Sequence, residues 1–495
     1  MNKKLLSKNL IITLSVYGIL LVLNIFVSKV VLISYGSEVN GLLASVNQIY
    51  TYIALLEAGI GTATITSLYG PFAKKDNAEI NRICSASVAY YRVVLKWYVL
   101  CVIAVSFLWP FVLESSIGYW TIFSVILIQG ISNALTFYYV STTTNYLVAV
   151  GKNYVNVYIH MGITAVTYLS KAAVSLLGGN VLLISATLLG INGLKCLFYY
   201  MYKKAKCTNL RFDANTDFSI LKQRRSFLIH EIVGVIFSST DLVLISIFCD
   251  LKMASVYAVY SMVISAVSSI IGQVFNSTKY ILGEGYHKEN YEKTHDIFNT
   301  IYITIVFALY TITYLLFEPF IGIYTRGVED INYAIRFLPI LFILIQLLST
   351  CRNVDTILIK NAGHSKQTIN RAIIEAGINL TTSVVLLCII GIHGVLLGTV
   401  VALLYRTNDM IIYANKRILK RSSWKEYKLY LLNFLVFCLF LVFNHNFPLQ
   451  AFGYADLLYK AIGLSIIVIT VYVVVNATIF GKKIITHIKH KSRKK

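Results

Sequence analysis

Charged residues are scarce in this sequence. Asp, Glu, Lys and Arg together make up 13% of the 495 residues, whereas soluble domains carry about 25%. Hydrophobic residues make up 57%, and the mean hydropathy is +0.70. Apolar runs of about 20 residues, the length that crosses the hydrocarbon core of a bilayer as a helix, recur along the whole chain. The shortage of charge therefore excludes a soluble globular protein and indicates a membrane protein.

Motifs for catalysis and for metal binding are also missing. No two of the 8 cysteines stand at CxxC spacing, so the sequence indicates neither a disulfide framework nor a metal site. It has no P-loop, no His/Cys cluster and no Ser/His/Asp arrangement, which argues against ATP hydrolysis by this chain. The predicted outer loops, such as 114–118, 178–180 and 391–394, are too short to hold a catalytic domain. We therefore expect no enzymatic activity, no cofactor and no metal.

Acidic residues are half as numerous as basic ones. The chain has 22 Asp and Glu against 44 Lys and Arg, a net charge of +22. A basic excess can indicate nucleic-acid binding, but nearly all of these residues lie in short loops between apolar runs. That placement is typical of the loops that orient a membrane protein, so we expect no nucleic-acid partner.

The apolar runs predict an all-α, polytopic membrane protein with about fourteen transmembrane helices. Basic residues concentrate on one side of these runs, and the positive-inside rule then places both termini in the cytoplasm. The predicted spans are 10–32, 41–68, 88–112, 119–148, 155–177, 181–202, 227–248, 255–276, 297–323, 333–358, 369–390, 395–414, 427–443 and 457–480.

Short segments recur in the same order at a shift close to 212 positions, which equals six spans. The pairs are 31–34 with 243–246, 75–77 with 288–290, 110–111 with 319–320, and Gly151 with Gly363. Because six is even, the two copies have the same orientation and are related by an axis along the membrane normal. We predict a six-helix lobe at 1–203, a cytoplasmic linker at 204–225, a second six-helix lobe at 226–418, two further helices at 419–480 and a basic cytoplasmic tail at 481–495.

Ionisable residues inside the predicted spans are candidates for function, because each costs at least about 2.5 kcal/mol in hydrocarbon unless it faces a cavity or a partner. Lys96, Lys171, Lys195, Glu57 and Asp241 lie well inside their spans without a helical partner of opposite sign. The isolated lysines suggest an electropositive cavity suited to an anionic ligand.

Two further pairs of charges are spaced three residues apart within one span. They are Arg352 with Asp355 and Arg406 with Asp409. Such spacing puts both members on one helix face, where they can neutralise each other. The alternative is that they too face the cavity. His160 and His230 are titratable, but packing or hydrogen bonding explains them equally well.

Residues 45–63 in the second span contain Leu56-Glu57-Ala58-Gly59-Ile60-Gly61. This segment resembles the Leu-(Glu/Asp)-x-Gly-x-Gly segment of bacterial polysaccharide-transporter proteins, the Wzx-type flippases of O-antigen, capsule and exopolysaccharide repeat units. The segment 35–41 looks like the first outer loop of that family, and 148–152 is similar to the segment that follows its fourth span.

The resemblance implies the MATE-like fold of the MOP superfamily, with two six-helix bundles and extra helices. It also implies that the protein moves undecaprenyl-diphosphate-linked oligosaccharides across the bacterial cytoplasmic (inner) membrane, with H⁺ or Na⁺ as the coupling ion. The expected partners are the lipid-linked substrate, membrane lipids, and the polysaccharide polymerase and chain-length machinery.

The charges inside the spans fit this function. The groups expected to contact the diphosphate-sugar head are Lys96, Lys171, Lys195, Arg352 and Arg406. Those expected to gate or to couple an ion are Glu57, Asp241, Asp355 and Asp409. The alternatives are a MATE-type drug or organic-cation antiporter, a membrane-embedded polysaccharide polymerase and a structural scaffold. The short outer loops argue against a polymerase, and the many buried charges argue against a scaffold.

Overall fold

The structure is a computed structural model that describes residues 3–207, 224–286 and 291–492. Throughout these ranges the regular elements are helices and there is no strand, which confirms the predicted all-α class. Most of the predicted linker 204–225 lies outside the described residues, as do the last residues of the tail 481–495. The described chain forms two compact units, Met1–Val256 and Tyr257–Lys495.

Nine helices begin in the described part of the first unit, and the ninth continues into the second. They are α1 (Lys3–Ile53), α2 (Ile60–Lys74), α3 (Asn77–Val112), α4 (Tyr119–Tyr139), α5 (Ser141–Ala149), α6 (Asn153–Leu176), α7 (Val181–Lys206), α8 (Arg224–Phe248) and α9 (Leu251–Thr278). The second unit adds α10 (Tyr280–Gly285), α11 (Tyr291–Tyr324), α12 (Leu338–Cys351), α13 (Asn353–Asn361), α14 (Ile369–Ile390), α15 (Ile392–Tyr413), α16 (Trp424–Asn446) and α17 (Tyr454–Ser492).

The helices are those of a multi-pass membrane protein. Within the described ranges, eleven helical segments are long and apolar enough to cross a membrane. The first of them, Gly18–Glu57, includes parts of two predicted spans. Within the expected outer loop at 35–41 the helical path of α1 is interrupted at Gly36, whose φ of 77° and ψ of 176° are not helical, so two helices meet there at a kink. The count of fourteen spans stays a prediction.

The first unit is held together by helices that approach to backbone contact. α1 packs against α6 and α8, and α4 packs against α3 and α7. A Cβ atom placed on Gly41 would lie 1.7 Å from the carbonyl oxygen of Leu251, so only glycine fits there. Beside it, the Asn40 amide donates a hydrogen bond of 2.7 Å to the hydroxyl of Ser255.

The second unit is organised around α11, which packs against α12, α16 and α17. The last two helices are fixed by buried polar contacts. The hydroxyls of Tyr472 on α17 and Thr311 on α11 are 2.8 Å apart. The side-chain amides of Asn433 on α16 and Asn476 on α17 exchange hydrogen bonds of 3.1 and 2.9 Å. The two helices that follow the predicted second lobe are therefore an integral part of this unit.

Close packing of α14 against α15 depends on two glycines spaced four residues apart. A Cβ atom on Gly394 would lie 2.1 Å from the carbonyl oxygen of Leu386, and one on Gly398 would lie 2.4 Å from the backbone nitrogen of Ser383. Small residues at this spacing let membrane helices meet along their backbones.

We expect Gly398→Val to destabilise the protein by about 1–3 kcal/mol, because the added methyl groups force α15 away from α14. The measurement is thermal denaturation of the purified protein in detergent. Gly377→Val on α14 is the matched control, since nothing lies within 4 Å of a Cβ at that position. Equal melting temperatures for the two variants would contradict the close approach.

The internal repeat is visible in the positions of helix breaks. Val140 separates α4 from the nine-residue helix α5, and Arg352 separates α12 from the nine-residue helix α13. Val140 and Arg352 are 212 positions apart, and so are Gly151 and Gly363, which follow α5 and α13 with φ values of 76° and 74°. The shift seen in short sequence matches thus recurs in the backbone, which supports a duplication.

Candidate functional site

The Leu-Glu-x-Gly-x-Gly segment is a break in a membrane helix. The helix tightens into a single turn, Ala54–Glu57, and then stops, and α2 starts after Gly59, whose φ is 79°. A positive φ is readily adopted only by glycine. Gly61 follows where α2 approaches the side chain of Asn145, 3.4 Å from the position of a Cβ. Helices broken inside a membrane commonly form the binding sites of transporters, so this segment is a candidate site.

Two of the predicted acidic residues lie around this break. The turn that ends at Glu57 packs against α3 and α8. Asp241 lies on α8 and is buried. The hydroxyl of the adjacent Thr240 is 2.6 Å from that of Tyr52, which lies five residues before Glu57. Asp241 is close enough to Tyr52 to interact with it electrostatically. The fold therefore brings Glu57 and Asp241 from distant parts of the sequence to the same broken helix.

The predicted lysines fall into two places in the first unit. Lys171 on α6 and Lys195 on α7 are partly buried, and these two helices pack together. Lys195 interacts electrostatically with His160. His160 and Lys171 share a face of α6 but lie eleven residues apart, about 16 Å along the helix axis. Lys96 is exposed on α3, a helix that packs against α2 and α4, so the structure does not group it with the other two.

Counter-ions do not account for these three lysines. Across the described ranges, no hydrogen bond or ion pair is found for the amino group of Lys96, Lys171 or Lys195. Partly buried cations without a bonded carboxylate can attract an anionic ligand. Lys96 lies beside the exposed apolar side chains of Val93 and Trp97. Lys171 and Lys195, which are partly buried, are therefore the better candidates for binding an anion.

The second unit contains a network of charges on three neighbouring segments. Arg352, at the break after α12, lies 2.6 Å from Glu375 on α14. Arg406 on α15 lies 3.4 Å from Glu375 and 2.8 Å from Asp409. Arg371 on α14 also pairs with Asp409. Among the described residues, three guanidinium groups therefore share two carboxylates.

One of the two pairs predicted from spacing is present. Arg406 and Asp409 form an ion pair, as the i,i+3 spacing predicts. Arg352 instead pairs with Glu375, and neither carboxyl oxygen of Asp355 has a hydrogen-bond partner in the described part of the chain. The prediction for Arg352 and Asp355 fails, because the helix is interrupted at Arg352 and its guanidinium group binds Glu375 on α14 instead.

Burial separates the arginines into two groups. The side chain of Arg406 is 6% exposed and is therefore committed to its two carboxylates. The side chains of Arg352 and Arg371 are 18% and 38% exposed, so they remain accessible to a ligand. Of the two predicted arginine contacts, the structure therefore favours Arg352 over Arg406.

Sequence reasoning missed the partners that organise this part of the site. It did not assign a role to Glu375, which binds Arg352 and Arg406, or to Arg371. A signal was available, because Arg371 and Glu375 are spaced i,i+4 in one span and Arg406 and Asp409 i,i+3 in the next. It also missed Glu426, which lies opposite Asp355.

Solved structures that resemble this chain are membrane transporters. Lipid II flippase MurJ, in an inward closed conformation, matches with a TM-score of 0.72 at 12% sequence identity, covering 96% of this chain and 100% of that chain. A multidrug resistance MATE family transporter of the MOP superfamily, in its inward-facing conformation, matches with a TM-score of 0.68 at 13% identity, covering 83% and 98%. An outward-facing MATE transporter of the same superfamily matches with a TM-score of 0.57 at 15% identity.

The protein is therefore a multi-pass membrane protein with the fold that MATE transporters share with the flippase MurJ. At these identities the similarity shows the fold alone. No model of a protein family matches the sequence, and no curated protein matches it significantly.

Proposed function

We propose that the protein is a flippase that moves undecaprenyl-diphosphate-linked oligosaccharides across the bacterial cytoplasmic membrane for the assembly of surface polysaccharide. The observation that carries this proposal is the pair Lys171 and Lys195, two partly buried cations without an ion-paired carboxylate in the described chain. A diphosphate is a compact anion with several acceptor oxygens, which accept hydrogen bonds from lysine amino groups. The resemblance of the 56–61 segment to Wzx-type flippases supports the same substrate class.

Two further features support a lipid-linked anion. The arginine network has two members that are partly exposed, Arg352 and Arg371. The match to the lipid II flippase extends over 96% of this chain, whereas the matches to the MATE transporters extend over 82–83%. The expected mechanism is alternating access, in which Glu57, Asp241, Asp355 or Asp409 couples the movement to H⁺ or Na⁺.

A drug or organic-cation antiporter is the second candidate. The acidic residues Glu57 and Asp241 near the broken helix favour it, because carboxylates attract a cationic ligand. The same two carboxylates can instead bind the coupling ion. The lysines of α6 and α7 then bind an anionic substrate, whereas an organic-cation substrate would leave these lysines without a function. A polymerase remains disfavoured by the short predicted outer loops.

The experiment is a deletion strain in which the location of lipid-linked oligosaccharide is determined. Accumulation of undecaprenyl-diphosphate-linked repeat units on the cytoplasmic leaflet, with loss of surface polysaccharide, is the expected result. Unchanged surface polysaccharide together with raised sensitivity to cationic dyes would instead establish the antiporter. The assay therefore separates the two candidates by opposite outcomes.

Replacing both lysines by glutamine tests the site. For Lys171→Gln/Lys195→Gln we expect export of repeat units to fall about tenfold or more at normal expression, because each hydrogen bond from a cation to phosphate contributes about 1.5–3 kcal/mol. Adding Lys96→Gln should have little further effect, since Lys96 lies on a separate, exposed face. Lys204→Gln, an exposed position at the end of α7, is the matched control. Normal export by the double variant would refute the assignment of these lysines.

A further inference from the structure

A carboxyl group in the second unit is buried without a hydrogen-bond donor. Asp355 on α13 is 0% exposed, and neither of its oxygens has a hydrogen-bond partner among the described residues. Its polar neighbour is the carboxyl group of Glu426, in the first turn of α16, within hydrogen-bonding reach. Glu426 is itself buried. Two carboxylates that face each other away from water cannot both keep their negative charge, so one of them holds a proton or both share a cation.

The hydrogen bonds of Glu426 decide which group carries the proton. The amide of Asn299 donates to one of its oxygens at 2.8 Å, and the amide of Asn415 donates to the other at 2.5 Å. Donors of this kind stabilise the ionised form of a carboxyl group. Asp355 has no such donor. The proton therefore belongs to Asp355, which can donate it in a hydrogen bond to Glu426.

Neighbouring cations are bound to a different carboxylate. Arg421 lies 2.8 Å from Asp296 and donates a second hydrogen bond of 2.8 Å to the side-chain oxygen of Asn415. Lys425 also pairs with Asp296. Arg421 and Lys425 carry two positive charges against the single negative charge of Asp296, so one positive charge remains near Asp355 and Glu426. One positive charge does not neutralise two carboxylates. The titratable groups that face Asp355 are Tyr291 on α11, Cys351 on α12, Arg421 before α16, and Glu426, Tyr427 and Tyr430 on α16.

We propose that Asp355 and Glu426 form a proton-binding site between α13, the second half of the broken helix, and α16. With the proton bound, the two carboxyl groups hold the helices together; without it, two buried negative charges face each other and favour separation of α13 from α16. The site names H⁺ as the coupling ion, and this role in transport rests on the proposed function. The bound proton itself can be measured without any substrate.

The test is infrared difference spectroscopy of the purified full-length protein in lipid nanodiscs at neutral pH. Wild-type protein should show the carbonyl stretch of a protonated carboxylic acid, shifted in D₂O. Asp355→Asn should remove this band and keep the melting temperature, because the asparagine amide can donate to Glu426 in place of the acid. Glu426→Gln should also remove the band, since the glutamine amide would donate to Asp355 and allow it to ionise. Asp456→Asn, at a partly exposed ion pair with Lys460, should leave the band unchanged.

Every outcome of this experiment either supports or overturns the proton site. A wild-type protein without the band, or a band that persists in Asp355→Asn, overturns the proton site. A band that appears only when Na⁺ is removed also overturns it, in favour of a shared sodium ion. Because no substrate is present, these outcomes leave the proposed translocation of lipid-linked oligosaccharide untouched. Conversely, a deletion strain with normal surface polysaccharide would contradict the proposed function but not the proton site.

Discussion

Glu375→Gln is expected to be the most damaging single substitution in the second unit. Glu375 is buried and is the carboxylate shared by Arg352 and Arg406. Removing one partner of a buried ion pair leaves an uncompensated charge and costs about 3–5 kcal/mol. We expect a lower melting temperature in detergent and loss of surface polysaccharide in a complemented deletion strain. A change of this size is detectable by thermal denaturation even in a large membrane protein.

A control variant and a second-site variant test whether Glu375→Gln lowers the melting temperature by unbalancing the charges of the network. Glu79→Gln removes the carboxylate of an exposed ion pair with Arg82 at 3.3 Å and should change stability by less than about 1 kcal/mol. Adding Arg352→Gln to Glu375→Gln restores the net charge of the network, so it should recover the melting temperature. If Arg352 contacts the substrate, export stays low in this double variant. An unaltered melting temperature in Glu375→Gln would show that the network does not stabilise the fold.

Gly59→Val is expected to have the largest effect in the first unit. Gly59 adopts a φ of 79° between the single turn Ala54–Glu57 and α2. An L-residue in this conformation costs about 1–2 kcal/mol, and a β-branched side chain costs more. The chain can relieve the strain only by moving Glu57 relative to α2. We therefore expect export to fall by about tenfold or more, which corresponds to about 1.4 kcal/mol, while the protein is still inserted in the membrane.

Gly70 supplies the control for this prediction. It lies in the same helix, α2, with no atom within 4 Å of a Cβ position and without a positive φ, so Gly70→Val should export repeat units at nearly the normal rate. Gly59→Ala should be intermediate between wild type and Gly59→Val. Export by Gly59→Val at the level of Gly70→Val would mean that the helix break is not needed for transport.

The helical class could be predicted from the sequence because it depends on local composition. Runs of apolar residues long enough to span a bilayer specify helices whatever their neighbours are. The count of spans is harder. α6 is 24 residues long, but it is not among the eleven segments that are apolar enough to qualify. It carries Asn156, His160 and Lys171, so the residues that make it a candidate for function also weaken its hydropathy signal.

The candidate site was only partly predictable, because it depends on which helices meet. Spacing identified the pair Arg406 and Asp409, since both lie on one unbroken helix. Spacing failed for Arg352 and Asp355, because no local feature showed that the helix stops between them. The partner of Asp355 is Glu426, which is 71 positions away on a helix outside the repeat. Long-range pairing of this kind requires the structure.

The matching breaks at Val140 and Arg352 have a consequence for the chemistry of the two halves. In both halves the break is followed by a nine-residue helix and a left-handed glycine, yet one break carries an aliphatic side chain and the other a guanidinium group. The backbone path of the break therefore does not depend on the side chain at that position, so each half can carry different chemistry on the same path.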